Sequence, residues 1–266
     1  MNVDTPIEIS NLEDYITQIS AISRPEQSYL YRGQENQEWR ITSSAYRRLE
    51  RQYRLEGAAP LAGQYDSSDA LHRLGRGYLL QIVDEIQLKY PSTYRGLYPL
   101  ECMAHLQHNK VATGLIDFTF NPLVALWFAC ANENINGKVI VVENGSDKIE
   151  EIKTIEVLQR DLEAFFNAEQ WYLWPPTLDS RMVDTERMTS QQSAFLLGLP
   201  EMTGEMIAQE VVIRGGDKEN LRIGLAKMGI SEKTLFPDLL GFFERNTHEQ
   251  PYDQTLAEPY YGGSLP

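Results

Sequence analysis

The sequence predicts a single compact domain of the α+β class, with a small mixed or antiparallel sheet flanked by helices. Segments with helical spacing of apolar residues mix with short apolar runs, and they follow no regular strand–helix–strand period. The chain has 266 residues, which is long for one average domain and short for two. We therefore expect one main domain over 29–246, an N-terminal helix within 1–28 and a tail over 247–266.

The first elements are predicted from apolar spacing and from capping residues. Apolar positions between Ile9 and Ile22 recur at helical spacing, and Ser10 or Asn11 can cap the start of that helix. The run Tyr29–Tyr31 then predicts a short strand that ends in Arg32-Gly33.

Proline and glycine mark several of the later elements. Pro99 and Pro122 each stand where a helix can begin, and Gly229 stands where one can end. In chain order we predict a helix carrying Tyr46 and Tyr53, helices over Ser68–Leu88 and Pro99–His108, a buried strand over Ala112–Asp117, a core helix over Leu123–Ala131, a strand over Lys138–Glu143, a helix over Thr154–Asn167, an aromatic loop over Trp171–Pro176, an extended segment over Arg187–Leu197, a strand over Glu210–Ile213, a helix over Lys218–Met228 and a short helix from Pro237.

The charge of the chain limits its partners. The net charge is −14, so the surface repels a phosphate backbone, and this disfavours broad nucleic-acid binding. An arginine cluster runs against that trend; it consists of Arg40, Arg47, Arg48, Arg51 and Arg54. The cluster is either a solvated helix face or a site for an anionic ligand or partner.

Cysteine content and hydropathy predict a cytoplasmic protein. Cys102 and Cys130 lie in apolar, helix-like stretches, which is typical of buried, reduced thiols. No apolar run is long enough to span a bilayer, and the N-terminus lacks the features of a signal peptide. We expect neither a membrane nor a metal centre, because the four histidines and two cysteines form no zinc-binding pattern.

The first of three polar candidate stretches is Tyr31-Arg32-Gly33-Gln34. An arginine at a strand end places a planar fork of donors at the sheet edge, and such a fork suits a phosphate or a carboxylate. The alternative is a structural pair between Arg32 and a core carboxylate such as Asp117.

The second stretch is Gln107–Cys130, in which a polar helix end with His108 leads through a strand to Asp117 and Thr119. These last two residues flank Phe118, so they share one face if the strand continues. A carboxylate between two core elements requires a partner. Asp117 therefore either joins a structural network or faces a ligand. The third stretch, Arg187–Phe195, is polar between apolar neighbours, as a strand beside a cleft can be.

Together these stretches resemble the FRG domain, a family named for its (F/Y)-R-G signature. The similar segments are YRGQ, QHxxVxTxLIDFTxNPLVALWFA, RMxxQxSxF and the C-terminal GISEKTLFPDLLGF. The resemblance implies an FRG domain over 29–246 and a place in a bacterial or phage defence or toxin system. Four residues depart from the family pattern: Lys110 and Ser193 stand for Gly, Ala112 for Pro and Gly114 for Arg.

A more distant resemblance is to the R-S-E class of ADP-ribosyltransferases. Arg32 matches that class's first-strand arginine, and Thr119 stands at the polar position of its second element. The likeness implies an ADP-ribosyltransferase-like fold with NAD as the cofactor, bound by Tyr31, Arg32, Gly33 and Thr119. The third element should be a glutamate, and Glu210 is the candidate, although its motif spacing is one residue short.

The resemblance implies a role for each candidate. Arg32 neutralises the pyrophosphate, Thr119 binds the ribose or orients the carboxylate, and Glu210 stabilises the oxocarbenium-like centre. His108 or Asp117 acts as the general base. Gln191, where the FRG pattern keeps a glutamine, completes the catalytic set.

Two other functions stay open at the level of sequence. The chain is alternatively a non-catalytic module that recognises a nucleotide or a protein partner, as the weak third element and the acidic surface suggest. A nuclease built on His108, Asp117 and Glu210 is a weaker alternative, because two-metal catalysis needs several convergent carboxylates.

Overall fold

The computed structural model describes residues 6–55, 67–145, 147–166, 170–175, 186–198 and 201–247. Its architecture is α+β, as the sequence predicts. The described strands are β1 (Ile7–Ile9), β2 (Ser28–Gln34), β3 (Ile116–Thr119), β4 (Gly137–Asn144), β5 (Ile149–Glu151), β6 (Trp171–Trp174), β7 (Ser193–Leu197) and β8 (Ile207–Ile213). The described helices are α1 (Leu12–Ile22), α2 (Ser44–Leu55), α3 (Ser67–Lys89), α4 (Pro91–Tyr94), α5 (Pro99–His108), α6 (Pro122–Ala129), α7 (Ile155–Leu158), α8 (Glu186–Ser190), α9 (Lys218–Lys227), α10 (Glu232–Leu235) and α11 (Leu239–Arg245).

All eight described strands form one mixed sheet, in the order β1-β8-β4-β2-β3-β7-β6-β5. Only the outermost pairs, β1 with β8 and β5 with β6, are parallel. At the centre, β2 and β4 pair along their full common length, whereas β2 and β3 share the single pair Tyr31 and Thr119. The two strands therefore diverge beyond that pair, and the sheet opens there.

Two helical layers cover the two halves of one sheet face. Tyr31, Thr119 and Ser193 lie opposite one another across three strands, so their side chains share a face. On the β2 side of that face, Tyr31 belongs to a core built with α6 and α9. On the β7 side, Phe195 belongs to a core built with α3 and α5. A third core lies on the opposite face and includes Leu30.

Helix α6 follows the sequence prediction closely. Asn121 caps its start by accepting a hydrogen bond from the backbone N–H of Leu123, and Pro122 occupies the first turn. Most of its residues are buried, as an apolar run without a polar face predicts.

Two glycines let α6 lie directly on the sheet. A Cβ atom at Gly33 would come within 1.9 Å of the carbonyl oxygen of Ala125, and one at Gly137 within 2.2 Å of that of Ala129. No side chain fits in either place. The glycine of the Tyr31-Arg32-Gly33 stretch is therefore required for the packing of a helix against β2.

Several predicted element boundaries are wrong. Two strands are displaced: the strand with Arg32-Gly33 runs on to Gln34, and the strand predicted over Ala112–Asp117 forms at Ile116–Thr119. The helix predicted over Thr154–Asn167 is two short turns, at Ile155–Leu158 and Leu162–Phe165. The loop predicted over Trp171–Pro176 contains β6, and the extended segment predicted over Arg187–Leu197 is α8 followed by β7. All four residues of β6 are buried, so the aromatic side chains fill both faces of an internal strand.

The structure describes the predicted N-terminal helix but almost none of the predicted C-terminal tail. The predicted N-terminal helix is α1, capped by Asn11, and it is preceded by β1, which the helical pattern did not predict. β1 places the start of the described chain in the same sheet as the rest. The predicted tail lies outside the described residues, except for its first residue, Thr247.

Candidate functional site

A cleft of about 290 Å³ lies where β2 and β3 diverge, between α5 and α6. Seven of the eight predicted site residues line it: Tyr31, Arg32, Gly33, His108, Asp117, Thr119 and Gln191. Gln107, Phe128, Arg187 and Phe236 contribute further to its walls. The cleft thus combines aromatic rings with a few converging polar groups, as small-molecule sites commonly do.

Arg32 extends across the gap between the two diverging strands. Its Nη1 donates to the backbone carbonyl of Asp117 at 2.5 Å and lies 4.0 Å from a carboxylate oxygen of the same residue. The predicted structural contact with Asp117 is therefore present. Its Nε is buried and has no hydrogen-bond partner among the described residues.

The electrostatic surroundings of Arg32 are unfavourable for its charge. Burial lowers the pKa of Arg32; the charge of Asp117 opposes that change, and the nearby charge of Arg47 adds to it. Burial also lowers the pKa of Arg47, against an opposing effect of Asp117. The charge of one carboxylate, Asp117, thus acts on both guanidinium groups, while the charges of Arg32 and Arg47 repel each other.

Asp117 is largely exposed, with 64% of its side chain accessible, and it is held by a short relay of side chains. Gln107 Nε2 donates to its Oδ1, and Thr113 Oγ1 donates to Gln107 Oε1. The carboxylate is thus oriented by Gln107 and still open to the cleft. The structural network expected as one alternative is therefore present, and Asp117 also lines the cleft.

The hydroxyl of Thr119 connects neighbouring backbone segments. It donates to the carbonyl of Gln191 at 2.7 Å and accepts from the N–H of Asn121 at 3.0 Å. The side-chain amide of Gln191 in turn donates to the carbonyl of Leu235 at 3.0 Å. Both residues line the cleft while joining β3, α8 and the C-terminal segment.

His108 lies beside a buried ion pair that the sequence did not predict. Its Nε2 is 4.0 Å from Oδ1 of Asp238. Arg187 donates to both oxygens of that carboxylate, at 2.7 and 2.9 Å, and its guanidinium carbon lies 4.7 Å from the centre of the Phe236 ring. Arg187 and Asp238 lie 51 residues apart in the chain, and no local sequence pattern indicates that they meet.

Burial and charge act in opposite directions on Asp238. Burial raises the pKa of its carboxyl, but hydrogen bonds from Arg187 and from the N–H of Gly241, together with the charges of Arg187 and His108, outweigh burial. The net effect is a pKa below the ordinary value. Asp238 is therefore ionised in the folded protein at neutral pH.

Glu210 is not among the residues that line the cleft. It lies on β8, separated from β2 by β4, and its Oε1 is 2.9 Å from Nζ of Lys138. The structure does not bring the predicted third element to Arg32. Of the residues it describes, Asp117 supplies the acidic group that lines the cleft.

A second cavity lies next to the cleft, and the sequence pointed to it only through the arginine cluster. This arginine pocket has a volume of about 660 Å³ and is lined by Arg32, Gln34, Glu38, Trp39, Arg40, Thr42, Arg47, Glu50 and Arg51. A small groove links the two cavities, because it shares Arg32 and Asp117 with the cleft and Arg32 and Arg47 with the pocket. Arg32 is the residue common to all three.

The members of the arginine cluster have different surroundings. Arg40, Arg47 and Arg51 line the arginine pocket. Arg48 instead donates to the hydroxyl of Tyr78 at 3.0 Å and lies over its ring. The side chain of Arg54 lies outside the described residues. The cluster is thus neither one uniform helix face nor one uniform site.

The described part of the chain offers neither a metal site nor a membrane-spanning helix. Within it, no three His, Cys, Asp or Glu side chains come together as metal ligands would. His108 and Asp117 line the cleft whereas Glu210 does not, so the three residues of the nuclease hypothesis are not all in one site. Among the described helices, none has the length and apolar character needed to cross a bilayer.

Comparison with known proteins identifies the family. No curated protein and no solved structure matches the chain significantly. The sequence profile of the FRG domain matches residues 27–138, which include both YRGQ and the stretch from Gln107 to Cys130. The motif Arg187–Phe195 lies beyond the matched residues, although its side chains complete the cleft. Residues 27–138 of this chain, which supply β2, β3, α5 and α6 around the cleft, are therefore an FRG domain.

Proposed function

We propose that the cleft between β2 and β3 binds a nucleotide through Arg32, and that NAD is its ligand. The observation behind the proposal is the position of Arg32, whose buried Nε has no partner among the described residues and whose guanidinium borders three cavities. A phosphate would supply the missing acceptor and would offset the repulsion between Arg32 and Arg47.

The walls of the cleft suit the rest of such a ligand. Phe128 and Phe236 offer ring faces and edges for a planar heterocycle, and their centres are 6.2 Å apart. Gln107 and Gln191 line the same cleft with amide groups. A nicotinamide ring and its ribose fit this combination of aromatic and amide side chains.

An enzymatic role follows from Asp117. Its exposed carboxylate beside Arg32 is suited to stabilise positive charge at a ribose carbon. In NAD cleavage the glycosidic bond breaks, nicotinamide leaves with the bonding electrons, and water or an acceptor hydroxyl adds to the ribose and loses a proton. We propose this ADP-ribosyltransferase or glycohydrolase activity, with Asp117 in the role first expected of Glu210.

The alternative proposal is a nucleotide- or protein-binding module without turnover. One reason to favour it is that Glu210, the expected catalytic glutamate, does not line the cleft and instead bonds to Lys138. A second reason is that the hydroxyl of Thr119 already makes its hydrogen bonds within the protein. A cytoplasmic defence or toxin system of a bacterium or phage, with a protein partner or target, is the setting that the family resemblance suggests for either form.

The experiment is calorimetric titration of the full chain with NAD, with nicotinamide release followed by chromatography. We expect the wild type to bind NAD and Arg32→Lys to bind it at least ten-fold more weakly, because lysine keeps the charge but loses the planar fork. Arg95→Lys, at an exposed arginine that lines none of the three cavities, is the matched control.

Thermal melting must show that Arg32→Lys is folded. Equal affinity in a folded Arg32→Lys protein, or no binding by the wild type, contradicts the nucleotide site. Binding without nicotinamide release excludes the enzymatic role and leaves the binding module.

A further inference from the structure

The arginine pocket has no role in the function proposed so far, and its groups are those that recognise a phosphorylated nucleoside. Arg40 is neutralised, because it pairs with Glu50 at 2.5 Å and with Glu201 at 2.8 Å. Neither Arg47 nor Arg51 forms an ion pair with any residue that the structure describes. Glu38 also lines the pocket, but Arg32, Arg47 and Arg51 outnumber its carboxylate, so the pocket keeps a positive charge that a phosphate can neutralise.

Gln34 adds an independent indication of a ligand. The residue is only 3% exposed and lies in the wall of the arginine pocket. Its Nε2 donates to the carbonyl of Arg40 at 3.2 Å, whereas its buried Oε1 has no hydrogen-bond partner among the described residues. A buried acceptor without a donor is costly, and a ligand hydroxyl or amine can supply the donor.

Trp39 provides the third kind of group. Its side chain lines the same pocket and is 49% exposed, so part of the indole is accessible to a ligand. Stacking on an exposed indole is a common way to hold a nucleobase, and it tolerates any base. The volume of about 660 Å³ lies in the range of small-molecule sites.

We infer that the arginine pocket binds the second half of a dinucleotide, a 5′-phosphorylated nucleoside whose other half occupies the cleft. The phosphate lies on Arg47 and Arg51, a sugar hydroxyl donates to Gln34 Oε1, and the base stacks on Trp39. Arg32 lies between the two halves, where the groove joins the cavities and where a pyrophosphate would pass. The inference rests on the proposed function, because it extends the ligand from the cleft.

The test compares NAD with its two halves, nicotinamide mononucleotide and AMP, by calorimetry on the full chain. The variants are Arg51→Ala and Trp39→Ala, both at exposed positions where folding is not at risk. Each should bind NAD and AMP on the order of ten-fold more weakly and should bind nicotinamide mononucleotide as the wild type does. Arg95→Ala, which removes an exposed arginine outside both cavities, should bind all three ligands as the wild type does.

The outcomes separate this inference from the cleft proposal. Unchanged NAD affinity in both Arg51→Ala and Trp39→Ala overturns the inference, while weaker binding by Arg32→Lys still supports the cleft. Binding of AMP that Arg51→Ala weakens, without any binding of nicotinamide mononucleotide, supports the pocket and contradicts the cleft. If neither NAD nor either half binds the wild type, both are wrong.

Discussion

At the scale of single residues, the tight contacts around the cleft are backbone contacts made through glycine. Gly33 follows Arg32 in β2 and lies under the backbone of α6. Arg32 thus brings the guanidinium to the cleft, and the next residue, Gly33, leaves room for the helix. This explains in physical terms why arginine and glycine occur together in the signature. Gly33 was expected to contact a ligand, and it does line the cleft, but its most demanding contact is with Ala125.

The left-handed backbone at Lys110 illustrates a departure from the family. Its φ is 64°, a conformation that glycine adopts at little cost and a side chain adopts with strain of about 1 kcal/mol. The turn after α5 thus adopts a conformation that suits the glycine expected here from the FRG resemblance. The side chain of Lys110 pairs with Glu244 at 2.5 Å, at an exposed position where such a pair contributes little.

We predict that Gly33→Ala destabilises the protein by about 3 kcal/mol, because the added methyl group would meet a backbone oxygen that cannot move aside. The measurement is the free energy of unfolding from denaturant titration. Gly77→Ala is the control: Gly77 is an exposed position within α3 with open space around it, so alanine should stabilise by about 0.5–1 kcal/mol. A Gly33→Ala protein as stable as the wild type would show that α6 does not lie directly on β2.

At the scale of elements, the cleft is closed by a segment that lies beyond the matched residues 27–138. α8 and the segment from α10 to α11 are joined by the pair of Arg187 with Asp238 and by two hydrogen bonds to the carbonyl of Leu235. Phe236 lies between these contacts and lines the cleft. The C-terminal segment is therefore held in place by a buried ion pair and also by the packing of Leu235 and Phe236 against the core that contains α6.

That ion pair predicts a particular dependence of stability on pH. The pKa of Asp238 is lowered on folding, so its stabilising contribution is present above the ordinary carboxyl pKa, about 4, and is lost as the pH falls through the lower folded pKa. Asp238→Asn should thus be less stable than the wild type by about 3 kcal/mol at pH 7, because it leaves Arg187 without its counter-charge. Asparagine still caps α11, so the helix start is preserved.

Denaturant unfolding of both proteins at pH 7, 5, 4 and 3 is the measurement for Asp238→Asn. The difference in unfolding free energy should shrink as the pH falls below about 4. A difference that stays the same down to pH 3 would mean that Asp238 is not the titrating group.

At the scale of the whole molecule, the matched FRG segment supplies the centre of the sheet and lacks its flanks. Residues 27–138 contain β2 and β3 but only the first two residues of β4. The strands that pair with the outer sides of β3 and β4, which are β7 and β8, lie beyond residue 138. β1, near the N-terminus, pairs with β8 near the other end.

We therefore predict that the fragment 27–138 does not fold by itself, because β2 and β3 would keep exposed edges and most of their core would be missing. The measurement is thermal unfolding followed by circular dichroism, together with the dispersion of amide signals in NMR. The fragment should show no cooperative transition, whereas 6–247, which contains every described strand, should unfold cooperatively. A cooperative transition in the short fragment would contradict this account of the sheet.

The sequence by itself predicted the FRG domain, the α+β class and several of the residues that line the cleft. The start of α6 at Asn121-Pro122 was predicted correctly, since capping and apolar spacing depend on neighbours along the chain. The boundaries that were wrong, such as β6 with Trp171, depend on burial on both faces, which local spacing does not report.

Only the tertiary structure decided which distant residues meet. The ion pair of Arg187 with Asp238 joins two helical segments that are far apart in the chain. The pairing of β2 with β3 at a single position and the separation of Glu210 from Arg32 follow from the order of strands in the sheet. That order is set by long-range packing, because a strand pattern shows which face is buried but not which strand lies beside it. The opening beside Arg32 thus exists because two strands that pair at Tyr31 diverge one residue later.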